Sequence, residues 1–445
     1  MKVLFISLGC DKNLADSEEM LGLLTGNGHE IVDSEEEADA IVINTCCFIH
    51  DAKEESVNTI LEMAEYKKAG TCKALIVTGC MAQRYKEEIT EEIPEVDAVL
   101  GTTSYGDIVK ALNEAEAGHV FHEFRDINDL PEDSGRRVIT TGGHFGYLKI
   151  AEGCDKHCTY CIIPSLRGKF RSVPEERLLN QAEYMASQGV KELILVAQET
   201  TVYGTDLYGK KTLHILLKKL CQVKGIRWIR ILYCYPEEIY DELIQVMKEE
   251  KKICHYLDLP IQHASDRILK RMGRRTSKAQ LVEIITKLRR EIPDIVLRTS
   301  LITGFPGETE EDHQELMEFV DEMEFDRLGV FTYSPEEGTP AETMEGQVPE
   351  ELKEERRDEI MELQQEISLE KGTDRIGQEL LVMIEGKVSG ESAYIGRTYG
   401  DAPKVDGYMF VQTGELLVTG DFAKVKVTGA MEYDLIGELA DEYTE

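Results

Sequence analysis

The segment Gly153-Cys154-Asp155-Lys156-His157-Cys158-Thr159-Tyr160-Cys161 sets three cysteines at C-x3-C-x2-C spacing, just after the strand-like run Tyr147-Leu148-Lys149-Ile150-Ala151. Three thiolates this close can hold three irons of a [4Fe-4S] cube. The fourth iron then has no protein ligand, and an open position marks a reactive metal centre rather than a structural one. A structural zinc site is the alternative. It wants a fourth ligand, and His157 is the local candidate.

Outward from this segment, strand patterns recur with helical stretches between them. The candidates are residues 147–151, 192–197, 226–233, 254–260, 295–303 and 327–333. Six consecutive βα units without closure signals predict a partial parallel barrel, since a complete one needs eight. Ser172-Val173-Pro174-Glu175 opens the first helix with an N-cap serine and an early proline. A long acidic helix over 350–371 ends at Gly372.

Before the barrel, residues 1 to about 120 alternate apolar runs (3–8, 40–44, 74–78, 98–100) with amphipathic stretches such as 51–69 and 104–117. This predicts an open parallel α/β sheet. Three more cysteines end three of these runs: Leu8-Gly9-Cys10, Asn44-Thr45-Cys46 and Thr78-Gly79-Cys80. In such a sheet the carboxyl ends of the strands share one edge, where ligands bind. Cys10, Cys46 and Cys80 should therefore converge into a second three-thiolate pocket, with Gly9 and Gly79 letting the backbone approach a bulky ligand. Any one of them could instead be a buried hydrophobe. Cys47 rivals Cys46, but successive side chains of extended chain point oppositely, so one of the two should face the pocket. Cys72, Cys221, Cys234 and Cys254 have no partners at ligand spacing and read as packing residues.

Residues 126–143, with Pro131, Gly135 and Gly142-Gly143, read as a linker. From about residue 375 short alternating runs (379–385, 408–412, 423–428) separated by Gly-rich turns predict a small β-barrel. The fold expected is thus α/β multidomain. It has an open parallel N-terminal domain (1–125), the linker (126–143), a partial (βα)6 barrel (144–372) and a small C-terminal β-barrel (373–445).

Across 445 residues, 42% are apolar and 11 are cysteine, and no run approaches a membrane span of about 18 apolar residues. The N-terminus enters a strand directly and lacks signal-peptide regions. A cytoplasmic location follows as the expectation, with the cysteines serving metal or catalysis rather than disulfides. Net charge is −35. Such a surface repels nucleic-acid phosphates and steers basic proteins toward it.

Taken together, the two cysteine sets and the three-part layout resemble the radical S-adenosylmethionine methylthiotransferases. The resemblance implies an auxiliary [4Fe-4S] cluster on Cys10, Cys46 and Cys80, and a radical [4Fe-4S] cluster on Cys154, Cys158 and Cys161. It further implies S-adenosylmethionine as methyl donor and radical source, Tyr160 packed near the cofactor adenine, and a C-terminal TRAM barrel. Within the family, Ser7-Leu8-Gly9-Cys10-Asp11-Lys12-Asn13-Leu14-Ala15-Asp16-Ser17-Glu18 is similar to the ribosomal-protein branch, with Asp11 where that branch usually has Pro and Ala15 where it has Val. Gly396-Arg397-Thr398-Tyr399-Gly400-Asp401-Ala402-Pro403-Lys404-Val405-Asp406-Gly407 is also similar. That branch methylthiolates the β-carbon of an aspartate in small-subunit ribosomal protein twelve. The implied partners are this basic protein and an electron donor such as flavodoxin or ferredoxin, with the sulfur donor left open.

Charge bears on the branch independently. Residues 375–445 hold 6 Lys and Arg against 13 Asp and Glu, a net of −7. A TRAM barrel that grips tRNA should be basic. Two other functions remain open: a tRNA adenosine methylthiotransferase, and a non-enzymatic two-cluster redox or scaffold protein. Electron carriers normally use four cysteines per cube, which weighs against the latter.

Further cofactor-binding candidates are polar residues at barrel strand ends: Gln198, Glu199, Gln262, His263 and Arg298. Each could equally be a satisfied structural group. Arg167, Lys169 and Arg171 form either a substrate patch or a solvated basic loop. Pro306-Gly307-Glu308 reads as a turn with an acid at a helix N-terminus.

Overall fold

Val- and Ile-rich runs without polar alternation are the pattern of strands covered on both faces. In the computed structural model, which describes residues 1–70, 72–132 and 135–440, the N-terminal runs form a six-stranded sheet. Its strands are β1 (Lys2–Ser7), β2 (Glu30–Val32), β3 (Ala40–Thr45), β4 (Ala74–Gly79), β5 (Ala98–Leu100) and β6 (Phe121–Glu123). They lie in the order β2-β1-β3-β4-β5-β6, every pair parallel. β3 and β4 are buried throughout. One face packs on Met20 and Leu24 of helix α1 (Asp11–Gly26) and on the helix Ile108–Glu116. The other packs on Ile60 and Met63 of α2 (His50–Lys68) and Met81 of α3 (Cys80–Arg84). The edge strands β2 and β6 were not anticipated. Three residues each, and half-exposed, they have no apolar run to betray them.

The second sheet begins with β7 (Phe145–Lys149). A two-strand antiparallel ladder of β8 (Ala151–Glu152) and β9 (Arg171–Ser172) follows. The remaining strands are β10 (Glu192–Val196), β11 (Trp228–Ile231), β12 (Ile253–Asp258), β13 (Val296–Thr303) and β14 (Arg327–Thr332). The order β14-β13-β12-β11-β10-β7 is all parallel and does not close. The sheet is therefore the expected six-stranded partial barrel. Its concave face is not empty. Phe145, Tyr147, Ile194, Trp228, Tyr256 and Val296 pack against Met383, Ala402 and Phe422 from the C-terminal domain.

That domain is a closed barrel of β15 (Glu379–Lys387), β16 (Ala393–Arg397), β17 (Met409–Gln412), β18 (Phe422–Ala430) and β19 (Leu435–Leu439), ordered β15-β16-β17-β19-β18. Residues 441–445 of the expected domain and 133–134 of the expected linker lie outside the described residues.

Local readings need correction at three points. Ser172 is not an N-cap. It sits in β9 with Oγ donating to Asp206 (2.6 Å), and the next helix starts at Glu175 with Pro174 at the cap. The long helix runs Glu350–Thr373, through Gly372, where a Cβ would stand 3.1 Å from Ala430 Cβ and crowd β18. Glu308 precedes rather than begins its helix. It is buried against Arg356 (2.9 Å), and Thr309 caps Glu310–Met323.

The linker is strapped down. Its Arg137 and Thr140 both donate to the fully buried Glu18 carboxylate of α1, at 2.7 Å from Arg137 Nε and from the Thr140 amide. A second buried network joins the partial barrel to the C-terminal one. Glu192 accepts from Arg230 Nε and from Arg397 Nη2, each at 2.7 Å, all three side chains fully buried. Arg397→Met leaves Glu192 and Glu385 short of one cation, and breaking a buried pair costs about 3–5 kcal/mol. The expected result is a clear drop in the thermal unfolding temperature. An unchanged calorimetric transition would contradict it.

The segment from Gly396 to Gly407 lies on this same seam. Tyr399 donates to Asp294 O (2.9 Å), Asp401 pairs with Arg327, and Asp406 accepts from Tyr256 (2.7 Å). Asp401 and Asp406 thus spend their charge inside the molecule. Glu379, Glu391, Glu415, Glu432 and Glu438 remain exposed, against Lys387, Lys404 and Lys426.

Candidate cluster-binding site

β1, β3 and β4 are adjacent and in register, Ser7 beside Asn44 and Asn44 beside Thr78. Neighbouring strands lie about 4.8 Å apart, so chains leaving them deliver Cys10, Cys46 and Cys80 to one edge. Gly9 (φ +87°) and Gly79 (φ +92°) make the turns, and a Cβ on Gly9 would lie 2.8 Å from Cys46 Sγ. Asn13 ties the three segments. Its fully buried amide donates to Leu8 O (3.2 Å) and Thr45 O (2.9 Å), with Oδ1 3.9 Å from Cys80 Sγ. Ser56 Oγ accepts from the Cys46 amide (3.0 Å) and donates to its carbonyl (2.8 Å). Cys47 is fully buried in the apolar layer with Ile43, Ile60 and Met81, while the Cys46 sulfur lies against Gly9.

Cys154, Cys158 and Cys161 occupy the loop after β8. The first two are buried and the third is half-buried. The loop is pinned by the Thr159 amide to Met272 O and the Ala341 amide to Thr159 O, both 2.9 Å. Tyr160 meets Phe305 edge-on at 6.4 Å, and Tyr235 Oη lies 3.6 Å from Cys158 Sγ. His157 is exposed, with φ +53°. Burial pushes the Cys154 thiol up to about 11 and Cys161 to about 12; in the other set it pushes Cys46 to about 12, with the nearby Cys80 adding to it. Such thiols ionise when a metal supplies compensating charge, since a coordinating thiol is deprotonated outright. Among the described residues no three or more His, Cys, Asp and Glu close to the spacing of a single metal ion. The ligands of a cube bind different irons.

Residues flanking both sets meet across the seam between the N-terminal domain and the partial barrel. The Lys12 ammonium sits over the Tyr233 ring, 3.2 Å from its centroid, and Tyr233 Oη donates to Asp11 (3.3 Å). Lys12 and Asp11 follow Cys10, and Tyr233 follows β11. From the other side Arg167, six residues after Cys161, brings Nη2 to 3.5 Å from Cys80 Sγ.

Buried polar atoms without hydrogen bonds occur in the partial barrel, on groups such as Glu199 and Arg274 whose other atoms are paired. Among the described residues Gln198 Oε1, Glu199 Oε2, and Arg274 Nε and Nη1 are buried atoms lacking hydrogen bonds. Burial raises the Glu199 carboxyl to about 7, and Lys156 Nζ lies 3.8 Å from Oε2. Arg274 stacks on Tyr235 at 4.2 Å.

Three family models match in turn: Uncharacterized protein family UPF0004 over residues 2–101, the Radical SAM superfamily over 148–320, and the TRAM domain over 376–440. The chain is 64% identical to the ribosomal protein uS12 methylthiotransferase RimO of Lachnoclostridium phytofermentans, covering 98% of this chain and 99% of that one. It is 50% identical to the protein of the same name from Clostridium botulinum, covering 100% and 99%. The chain belongs to the ribosomal protein uS12 methylthiotransferase family. A solved structure of the radical methyltransferase TsrM from Kitasatospora setae, with cobalamin and a [4Fe-4S] cluster bound, aligns with TM-score 0.55 at 13% identity. It covers 77% of each chain and shows likeness of fold alone.

The donor set of this methylthiotransferase suits the family's cofactors. Each three-thiolate pocket matches a cube with one open iron. The carboxylate of Glu199 and the guanidinium of Arg274 could take the ammonium and carboxylate of an amino acid such as the methionyl part of S-adenosylmethionine. Of the other strand-end candidates, His263 Nε2 lies 3.5 Å from Glu308 and Gln262 has φ +71° beside β13. Arg298 is ion-paired with Asp258 (2.7 Å) and lies 3.5 Å from Asp406, so it serves the seam with the C-terminal barrel. Arg167 is neither a surface patch nor a solvated loop residue: it is 3% exposed. Cys72, Cys221, Cys234 and Cys254 are buried packing residues, as expected. Ser56, Tyr235 and Arg274 lie outside both cysteine motifs and escaped the sequence reading, while Asn13 lies in the quoted segment around Cys10 without its tying role being visible there.

Proposed function

We propose that this protein transfers a methylthio group to the β-carbon of an aspartate in ribosomal protein uS12. The observation that carries the reading is the full-length identity of 64% to a uS12 methylthiotransferase, joined to two separate sets of three free cysteines. When bound, two [4Fe-4S] clusters and S-adenosylmethionine supply the methyl group, the sulfur-bearing open iron and the hydrogen-abstracting radical. Cys10, Cys46 and Cys80 hold the auxiliary cluster, and Cys154, Cys158 and Cys161 the radical one. Tyr160 with Phe305 walls the radical site against water, while Gln198, Glu199 and Arg274 orient the cofactor. Asn13 and Ser56 fix the loops that present Cys10 and Cys46. A reductant such as flavodoxin or ferredoxin supplies the electron.

Among the described residues no helix is long and apolar enough to cross a membrane, and we place the protein in the cytoplasm. We divide the chain at 1–125, 126–143, 144–372 and 373–445. The exposed glutamates of the C-terminal barrel favour a basic protein loop over tRNA, by an attraction that weakens as salt screens it. Reconstituted enzyme offered uS12 and bulk tRNA with S-adenosylmethionine and a reductant should add the methylthio mass to the protein's aspartate. The same mass on tRNA adenosine, with none on uS12, would overturn the substrate.

A further inference from the structure

Arg167 ends the five-residue helix Ile163–Arg167, which starts two residues after the radical-cluster cysteine Cys161. Both termini of that helix are held. Pro164 lies in its first turn, and the Thr102 hydroxyl of the N-terminal domain donates to Leu166 O (2.9 Å). At its end Gly168 turns at φ +71°, where a Cβ would stand 2.6 Å from Ile127 O. The Arg167 side chain is thereby delivered across the seam into the N-terminal domain.

There the guanidinium divides its work. Nη1 donates to Asp16 (2.8 Å) and lies 3.5 Å from Glu152. Nη2 donates to Asn13 Oδ1 and to Cys80 Sγ, the latter at 3.5 Å. Lys149 pairs with the same two carboxylates, Asp16 and Glu152. Two cations and two anions already balance without Cys80, and all are nearly buried. A Cys80 thiolate adds a negative charge beside this group, and Nη2–H is aimed at that sulfur. The Asn13 amide that accepts from Arg167 also donates to the segments before Cys10 and Cys46, so one guanidinium bears on all three ligand loops.

We propose that Arg167 is a positioning residue for the auxiliary cluster, donating a charge-assisted N–H···S bond to the Cys80 thiolate and fixing a positive charge beside the cube. The role rests on the assignment of Cys10, Cys46 and Cys80 as its ligands. Hydrogen bonds to cluster sulfurs and local net charge set the reduction potential, and a fixed cation favours the more negative, reduced cube. Arg167 thus holds the potential up. Its planar fork holds one donor on Asp16 and another on Cys80 in fixed directions, whereas a shorter, rotatable ammonium would not reproduce that geometry.

The test uses full-length protein lacking the radical cluster through Cys154→Ala, Cys158→Ala and Cys161→Ala, so that a single cube of about four irons is observed. In that background Asp16→Asn is compared with Asp16→Asn plus Arg167→Gln, a pair in which the double change removes one buried charge of each sign. We expect the double variant to bind less iron, or to show a midpoint shifted to lower potential in an EPR-monitored titration. Equal iron at an equal midpoint overturns the proposal. Arg167→Lys keeps the buried charge and covers the case in which the double variant does not fold. It should lose iron to a chelator faster than its parent, and an unchanged rate of loss overturns the proposal. A parent without iron would instead refute the ligand assignment itself.

Discussion

A variant with Cys154, Cys158 and Cys161 all replaced by Ala is expected to form no 5′-deoxyadenosine, while iron falls from about eight to about four per chain. The two sets sit on different sheets and different loops, so the loss of one leaves the framework of the other. Cys10, Cys46 and Cys80 depend on β1, β3, β4, Asn13 and Ser56, none of which rests on the 154–161 loop. Alanine fills nearly the same small volume as cysteine, so the packing of β8 and of Tyr160 on Phe305 should survive. Iron analysis with anaerobic reconstitution, followed by chromatography of the nucleoside product, checks both halves. Absence of iron from the variant would remove the auxiliary site. Cofactor cleavage that persists would remove the radical assignment. Zinc in place of iron in the parent protein would remove both.

The second large effect is expected from Cys80→Ala. Methylthio transfer should fall to the assay background while 5′-deoxyadenosine still forms without coupling to product. Cys80 begins α3 directly after Gly79, and its sulfur is the one reached by Arg167 from the radical domain. Its loss takes one of three ligands from the auxiliary cube and leaves Arg167 Nη2 with Asn13 alone. The guanidinium keeps Asp16, so the seam stays closed and the radical loop stays in place. Product analysis by mass spectrometry beside a nucleoside assay separates the two activities. Transfer at the parent rate would show that Cys80 is a packing residue.

The layout of the molecule was legible in the chain for a physical reason. β3 and β4 are buried on both faces, so they appear as unbroken apolar runs that no other element explains. The six barrel strands were visible as apolar-rich runs recurring between helical stretches, to within a few residues at each end. Short edge strands such as β2 and β6, which bury little, left no such trace. The branch-like segment beginning at Gly396 was visible as a motif but not as what it is in space. Its acids look like solvent charge in a composition count, yet Asp401 and Asp406 close onto Arg327, Arg298 and Tyr256.

The cysteines themselves were determined by sequence. Cys154, Cys158 and Cys161, the ligands proposed for the radical cluster, share one loop, and their spacing is local information. Cys10, Cys46 and Cys80 are distant in the chain, but a parallel sheet sends all strand ends to one edge, so topology could be inferred from pattern and convergence from topology. The groups that serve those cysteines were decided by tertiary structure alone. Arg167 reads in sequence as one of three basic residues in a polar loop, and only folding buries it between Asp16, Asn13 and Cys80. Arg274 and Tyr235 likewise come from different loops and meet at 4.2 Å. A ligand loop is specified by neighbours along the chain. A buried charge is specified by what surrounds it, and desolvation makes an unpartnered ion so costly that its place is settled only when the surrounding domains have packed.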